Sequence, residues 1–169
     1  HVVVPAFNDR FGSGMTIAFW AIPTASNGFA RFLDFGNGAP SDNILLYRSG
    51  TSSNLIFEVR DDAAASTVTA AGAIINNEWH HYAAVLDSNR TARIYRDGTL
   101  LASGTLYMPN PLNRTLNYIG RSNWTGDAYY AGGMDEFAIY DRPLSQTDIQ
   151  AHYAARTNAE TYRQHVLAH

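Results

Sequence analysis

Turn-forming residues interrupt this chain so often that a long helix has no room until its last quarter. Gly12-Ser13-Gly14, Asn27-Gly28, Gly36-Asn37-Gly38, Arg48-Ser49-Gly50, Asp97-Gly98 and Gly132-Gly133 cut it into short pieces. Gly and Asn belong at such points because they tolerate positive φ. The pieces between them are strand-like, and helical periodicity is missing. The spacing predicts strands over Val2–Val4, Met15–Ile22, Phe29–Phe35, Ile44–Arg48, Leu55–Arg60, Ser66–Ala70, His80–Leu86, Ala92–Arg96, Thr99–Ser103, Leu116–Gly120 and Met134–Tyr140. Asp97-Gly98, between Ile94-Tyr95 and Leu100-Leu101, is the clearest hairpin turn.

Alternation along these runs points to two stacked layers. In Leu55-Ile56-Phe57-Glu58-Val59-Arg60 the apolar Leu55, Phe57 and Val59 would face inward, and Glu58 and Arg60 would face water. Met15, Ile17 and Phe19 share one face of their strand, while Thr16, Ala18 and Trp20 share the other, so that strand is expected to be covered on both sides. The fold class is therefore all-β, an antiparallel two-sheet jelly-roll sandwich. A short C-terminal helix follows Pro143. Ser145-Gln146-Thr147-Asp148 fits a capping box, and Ile149 and Tyr153 would pack one helix face against the sandwich. Thr157-Asn158-Ala159-Glu160 offers a second helix start. Residues 1–155 read as one domain and residues 156–169 as a linker or the start of a following domain, with His169 a possible tag remnant.

Composition narrows the function classes. Charged residues are 16 %, against roughly a quarter in ordinary globular chains. All 12 basic residues are Arg, scattered from Arg10 to Arg163, and the net charge is −3. No basic footprint for nucleic acid forms. There is no cysteine, which removes disulfides, thiolate nucleophiles and Cys-based metal sites. No stretch approaches the roughly 18 apolar residues of a membrane span, so membrane insertion is not expected. The chain opens at His1-Val2-Val3-Val4-Pro5, which reads as the inside of a strand. An export signal and an earlier strand are expected to lie outside it.

Three segments together resemble a known family. They are Met15-Thr16-Ile17-Ala18-Phe19-Trp20-Ala21-Ile22-Pro23; Glu78-Trp79-His80-His81-Tyr82-Ala83-Ala84-Val85 with Ala92-Arg93-Ile94-Tyr95-Arg96-Asp97-Gly98; and Tyr118-Ile119-Gly120-Arg121 with Gly133-Met134-Asp135-Glu136-Phe137-Ala138-Ile139-Tyr140-Asp141-Arg142-Pro143-Leu144-Ser145. In this order they are similar to bacterial and phage laminin-G-like domains of the concanavalin A-like lectin/glucanase superfamily. The resemblance implies a jelly roll of two curved sheets, an extracellular, cell-surface or virion-surface setting, and a role as a binding or adhesion module beside other domains. It also implies a structural Ca2+. The family's opening strand, with its Phe-Asp-Gly-like turn, has no counterpart before His1.

Polysaccharide-cleaving members of the superfamily cluster carboxylates on one face, because glycoside hydrolysis needs two carboxyl groups roughly 5–9.5 Å apart. Here Asp61-Asp62 and Asp135-Glu136 are adjacent pairs whose side chains point to opposite faces of a strand, so no enzymatic role is expected. His80 and His81 would likewise face opposite sides, one a hydrogen-bonded core ring and the other half-exposed. Trp79 reads as a core anchor rather than a sugar platform. Asp135, beside Gly132-Gly133, is the candidate calcium ligand, the alternative being that it satisfies loop amides; Asp34, Asp42 and Asp127 are further loop acids. The expected ligand-binding patch is Asn123-Trp124-Thr125-Gly126-Asp127-Ala128-Tyr129-Tyr130, with Asn123, Trp124, Asp127 and Tyr129 as its contact residues. Aromatic faces stack on sugar rings while Asn and Asp bind hydroxyls. Tyr130 is assigned to packing. The expected partner is a polysaccharide or surface glycan, or neighbouring domains of the same protein. The alternative function is a structural or protein-docking domain in a tandem stalk or tail fibre.

Overall fold

The computed structural model describes residues 1–167, with side chains described through Arg156. Thirteen strands and a helix follow in order: β1 Val2–Val4, β2 Phe7–Asn8, β3 Gly14–Pro23, β4 Arg31–Gly36, β5 Ile44–Arg48, β6 Leu55–Asp61, β7 Ala64–Ala70, β8 His80–Asp87, β9 Thr91–Arg96, β10 Thr99–Thr105, β11 Asn113–Arg114, β12 Leu116–Ile119, β13 Gly132–Tyr140 and α1 Gln146–Leu167. Every predicted strand is present. The two-residue ladder of β2 with β11 carries no periodicity that a sequence reading could detect, and it was missed.

Two antiparallel sheets form the sandwich, one ordered β1-β12-β4-β5-β6-β7 and the other β10-β9-β8-β3-β13. Met15, Ile17 and Phe19 of β3 meet Leu33, Phe35, Ile44, Leu46, Phe57 and Val59 of the opposite sheet in one buried core. Each such side chain, fully buried, contributes about 1.5–3 kcal/mol from apolar area removed from water. The β9–β10 hairpin turns as expected at Asp97 and Gly98, whose φ angles are 52° and 75°. That double positive φ is the two-residue turn matching strand twist. Gly132 has φ 141°, and a Cβ there would overlap the Ile22 carbonyl oxygen, so the start of β13 needs glycine.

The outer face of the five-stranded sheet is covered by α1. The capping box forms as expected: Asp148 N–H donates to Ser145 Oγ at 3.1 Å, and Ser145 N–H donates to Asp148 Oδ2 at 2.9 Å. The hydrogen bonds from Ser145 hold the Asp148 carboxyl below the usual carboxylate range. Ile149 is buried against Ala18, Ala83, Val85, Tyr95 and Leu144, and Tyr153 stacks on Trp20 at 5.7 Å. The helix continues without interruption through Thr157-Asn158-Ala159-Glu160, where the sequence offered a second start, and through most of the segment set aside as a linker. Ala168 and His169, and with them the suggested tag remnant, lie outside the described residues. No helix among the described residues is long and apolar enough to cross a membrane.

Candidate functional site

The outer face of the six-stranded sheet is built differently. Strand register places Arg31 beside Tyr47 and Ile56, and Asp34 beside Leu45 and Glu58, all on that face. Sequence alternation put Glu58 and Arg60 in water, yet Glu58 is buried. The reason is that the segment joining β12 to β13 folds back over this face. It brings Trp124 to 5.3 Å from the Arg31 guanidinium and 5.2 Å from that of Arg60. Glu58 beneath accepts from the Tyr47 hydroxyl at 2.6 Å and is ion-paired with Arg60 at 2.7 Å.

Two acidic residues pin the segment down. Asp34, fully buried, accepts from the Asn123 backbone N–H at 2.8 Å and from the side-chain amides of Asn123 and Asn43, each at 2.8 Å. Burial pushes its carboxyl up, against the lowering effect of those hydrogen bonds. Asp127 accepts from Arg31 Nη2 and from the Ser122 hydroxyl, each at 2.7 Å. Ser122 Oγ in turn accepts from Arg31 Nε at 3.2 Å and from the Trp124 backbone N–H at 3.0 Å. Arg31 itself is stacked over the Tyr47 ring at 4.1 Å, and burial together with Glu58 pushes the Tyr47 phenol well up. Sequence reading missed Arg31, Asp34, Tyr47, Glu58 and Arg60 as supports. Nothing in β4–β6 announces that a loop distant in the chain will cover them.

The four expected contact residues converge. Asn123, Trp124, Asp127 and Tyr129 line one pocket of about 190 Å³, together with Arg121, Ser122 and Thr125. Their roles divide. Asn123 and Asp127 spend polar atoms on Asp34 and Arg31, bracing the loop from below. Trp124 is half-buried between its two guanidinium neighbours. Tyr129 is 55 % exposed, its ring 5.4 Å from that of His1, and it adds an aromatic surface to the pocket lining. Tyr130 packs on Phe32 at 5.1 Å, as assigned from the sequence. Such an arrangement is suited to holding a small polar ligand. Each carboxylate of this face is already engaged by Arg, Asn, Ser or Tyr.

The other candidates lie elsewhere. Asp135 sits on β13, its Oδ1 accepting from the Glu136 N–H at 2.8 Å and its Oδ2 paired with Arg156 at 2.9 Å. The neighbouring Gly133 carbonyl accepts from the Tyr130 hydroxyl at 3.0 Å. A guanidinium therefore supplies the positive charge at this carboxylate, and among the described residues no three His, Asp or Glu side chains gather as a metal-binding group. The residues around Asp135 do not fit a calcium ion, which wants six to eight oxygens. Asp42 accepts from Asn110 at 2.8 Å and from the Asp62 N–H at 3.1 Å, apart from the bonds that engage Asp34 and Asp127.

The two histidines point to opposite faces as expected, but the hydrogen-bonded ring is not the core one. The hydrogen-bonded ring is the half-buried His80, with Nδ1 2.6 Å from Asp97 Oδ2. His81, 3 % exposed beneath α1, has an Nδ1 with no hydrogen-bond partner. Burial, and then His152 nearby, lower it to about 4. Trp79 corrects the expected core anchor. It precedes β8 rather than lying in a strand, and it is 42 % exposed. Its ring rests beside Gly133, where a Cβ would come within 3.0 Å, and 5.2 Å from the Arg156 guanidinium.

Comparisons with known proteins agree on the architecture. The family model Laminin_G_3, described as concanavalin A-like lectin/glucanases superfamily, matches residues 1–150. No curated protein sequence matches the chain. Among solved structures, domain 4 of AbnA, a GH43 extracellular arabinanase from Geobacillus stearothermophilus, in complex with arabinotriose, is similar with a TM-score of 0.73 and 20 % identity, over 88 % of this chain and 70 % of that one. The CBM40 of the Ruminococcus gnavus IT-sialidase, bound to alpha2,3 sialyllactose, has a TM-score of 0.68 and 21 % identity over 83 % of each chain. The binding domain of botulinum neurotoxin serotype G has a TM-score of 0.66 and 14 % identity, over 89 % of this chain and 38 % of that one. At such identities the likeness is one of fold.

Proposed function

The chain belongs to the Laminin_G_3 family of the concanavalin A-like lectin/glucanases superfamily, and we propose that this domain is a non-catalytic carbohydrate-binding module of a larger extracellular or virion-surface protein. The observation that carries the reading is the pocket of about 190 Å³ on which Asn123, Trp124, Asp127 and Tyr129 converge. Its floor is fixed by buried hydrogen bonds, its mouth carries an exposed tyrosine, and its walls mix aromatic and polar groups. Preorganisation of this kind lowers the ordering cost of binding, and an aromatic face beside polar groups suits a sugar ring. Two of the similar folds were solved with oligosaccharides, sialyllactose and arabinotriose. That is consistent with a glycan as partner here.

A glycan-binding panel that includes both of those sugars tests the reading, run on the full chain and on Tyr129→Ala. The wild type is expected to bind at least one glycan saturably. Tyr129→Ala should lose about tenfold in affinity, the scale of one aromatic contact, at an unchanged melting temperature, because the ring is exposed. A well-folded sample that binds nothing across the panel sinks the proposal and leaves the structural or protein-docking role in its place.

A further inference from the structure

We propose that this pocket takes an acidic sugar, whose carboxylate or sulfate group is seated on Arg121. The proposal rests on the carbohydrate reading above and narrows it to a ligand class. It begins from what each charge around the pocket already does. Arg31 is committed to Asp127 at 2.7 Å, and Arg60 to Glu58 at 2.7 Å. Asp34 is committed to the amides of Asn43 and Asn123. Arg121 differs from all of these: it lines the pocket, and among the described residues it pairs with no carboxylate.

Arg121 is nonetheless held in place. Its guanidinium lies 4.4 Å over the Tyr118 ring, and Tyr118 is itself buried in the sheet beside Asp34. Stacking occupies the flat face of a guanidinium and leaves its in-plane N–H groups pointing outward, a fork matched to the two oxygens of a carboxylate or sulfate. A neutral sugar has no use for such a fork. A second observation points the same way. Arg31 is 5 % exposed, and its Nη1 finds no hydrogen-bond partner even though its Nε and Nη2 are bonded to the pocket residues Ser122 and Asp127. Arg31, though its charge is met by Asp127, thus keeps one buried N–H without an acceptor while in direct contact with two wall residues. The exposed Thr125 at the rim supplies a hydroxyl, and Tyr129 an aromatic face for the sugar ring.

The chain as a whole carries −3, so this positive spot is local rather than part of a general attraction to polyanions. The volume, about 190 Å³, is on the scale of a single sugar ring rather than a long groove. The ligand is therefore expected to be a terminal or isolated acidic residue of a glycan.

Calorimetric titration of the full chain with matched pairs tests this. The probes are sialyllactose and sulfated lactose against lactose, and trigalacturonate against its methyl ester. At least one acidic probe should bind about tenfold or more tightly than its neutral partner, the scale of one charge-assisted bidentate contact. Whichever acidic arm is tightest names the group. Arg121→Gln should erase the preference without moving the melting temperature, and Arg121→Lys should keep only part of it. Neutral probes that bind as tightly as acidic ones overturn the proposal but leave the carbohydrate reading standing. A preference that survives in Arg121→Gln does the same. No binding by any glycan overturns both.

Discussion

Both sheets of this sandwich have a covered outer face, and the two covers obey different physics. On the five-stranded sheet Leu144, just before α1, and Ile149 within it pack onto Ala18, Ala83, Val85 and Tyr95, an apolar seal with little directional demand. On the six-stranded sheet the segment after β12 is seated by Asp34, Arg31, Asp127 and Ser122, each through bonds of 2.7–3.2 Å. An apolar seal tolerates small changes of shape. A buried polar network does not, because losing one member strands the charge or dipole of another. Rigidity under the loop is also what a binding surface needs, and the loop, not the helix, presents Arg121 and Tyr129 to solvent.

The largest effect should come from breaking the polar seal. Arg31→Ala removes the partner of Asp127, the donor to Ser122 and the cation between Tyr47 and Trp124 in one step. Removing one member of a buried pair costs about 3–5 kcal/mol, measurable by urea denaturation, and glycan binding should fall with it. Asp127→Ala should cost less than this, and the double variant little more than Arg31→Ala alone, since the two report one interaction. Additive losses in that cycle would mean that the two covers are not different in kind.

Acid offers a subtler way to separate the faces. His81, beneath α1, keeps a pKa of about 4, while in the unfolded chain it titrates near the ordinary 6.5. Above pH 6.5 neither state holds the extra proton, and the contribution of the neutral ring is fully present. As pH falls below 6.5 the unfolded chain takes up a proton that the folded one refuses, so stability drops by about 1.4 kcal/mol per pH unit down to pH 4, about 3 kcal/mol in all. His152 and Asp97 act on the same ring, the first against its protonation and the second in favour. Asp34 on the opposite face has the reverse sign. Its carboxyl is raised by burial, so the stability linked to it is present below the ordinary carboxylate range and lost as pH rises through its folded pKa. Hydrogen exchange between pH 7 and 4.5 should therefore show α1 loosening before the Arg121–Tyr130 segment. His81→Leu should flatten the stability profile in that window, and an unchanged slope would remove His81 as its cause.

What the sequence made legible follows from range. Turns, alternation and the capping box are local signals, and each survived into the structure: the Asp97-Gly98 hairpin, the two-sided burial of β3, and the Ser145–Asp148 cap. The loop carrying Trp124 and Tyr129 was also legible, because a tryptophan in a polar, glycine-containing stretch stands out. Its supports were not. Glu58 is separated from Trp124 by more than a third of the domain, and simple alternation sends it to solvent. Only the register of β4, β5 and β6, and the return of the chain over them, turns it into a buried member of a network.

Trp79 is the sharpest case of the same limit, and it yields the smallest expected effect. Beside the ordered His80–Val85 run it reads as a core anchor, yet it sits one residue outside β8 and leaves 42 % of its surface in water. Trp20 is its internal control: 5 % exposed, stacked on Tyr153, and within 5.1 Å of the same Arg156 guanidinium that touches Trp79. Trp20→Ala should cost about 3–5 kcal/mol, as truncating a large buried aromatic generally does. Trp79→Ala loses only part of an aromatic contact and one cation–π interaction at a partly wet site, together about 1 kcal/mol. Paired urea melts at pH 7 decide the point. Equal losses would make Trp79 the anchor that its neighbours in the sequence suggest, and the helix cover would then extend to the edge of β13. A clear gap would confine the apolar seal to the strip between Trp20 and Leu144.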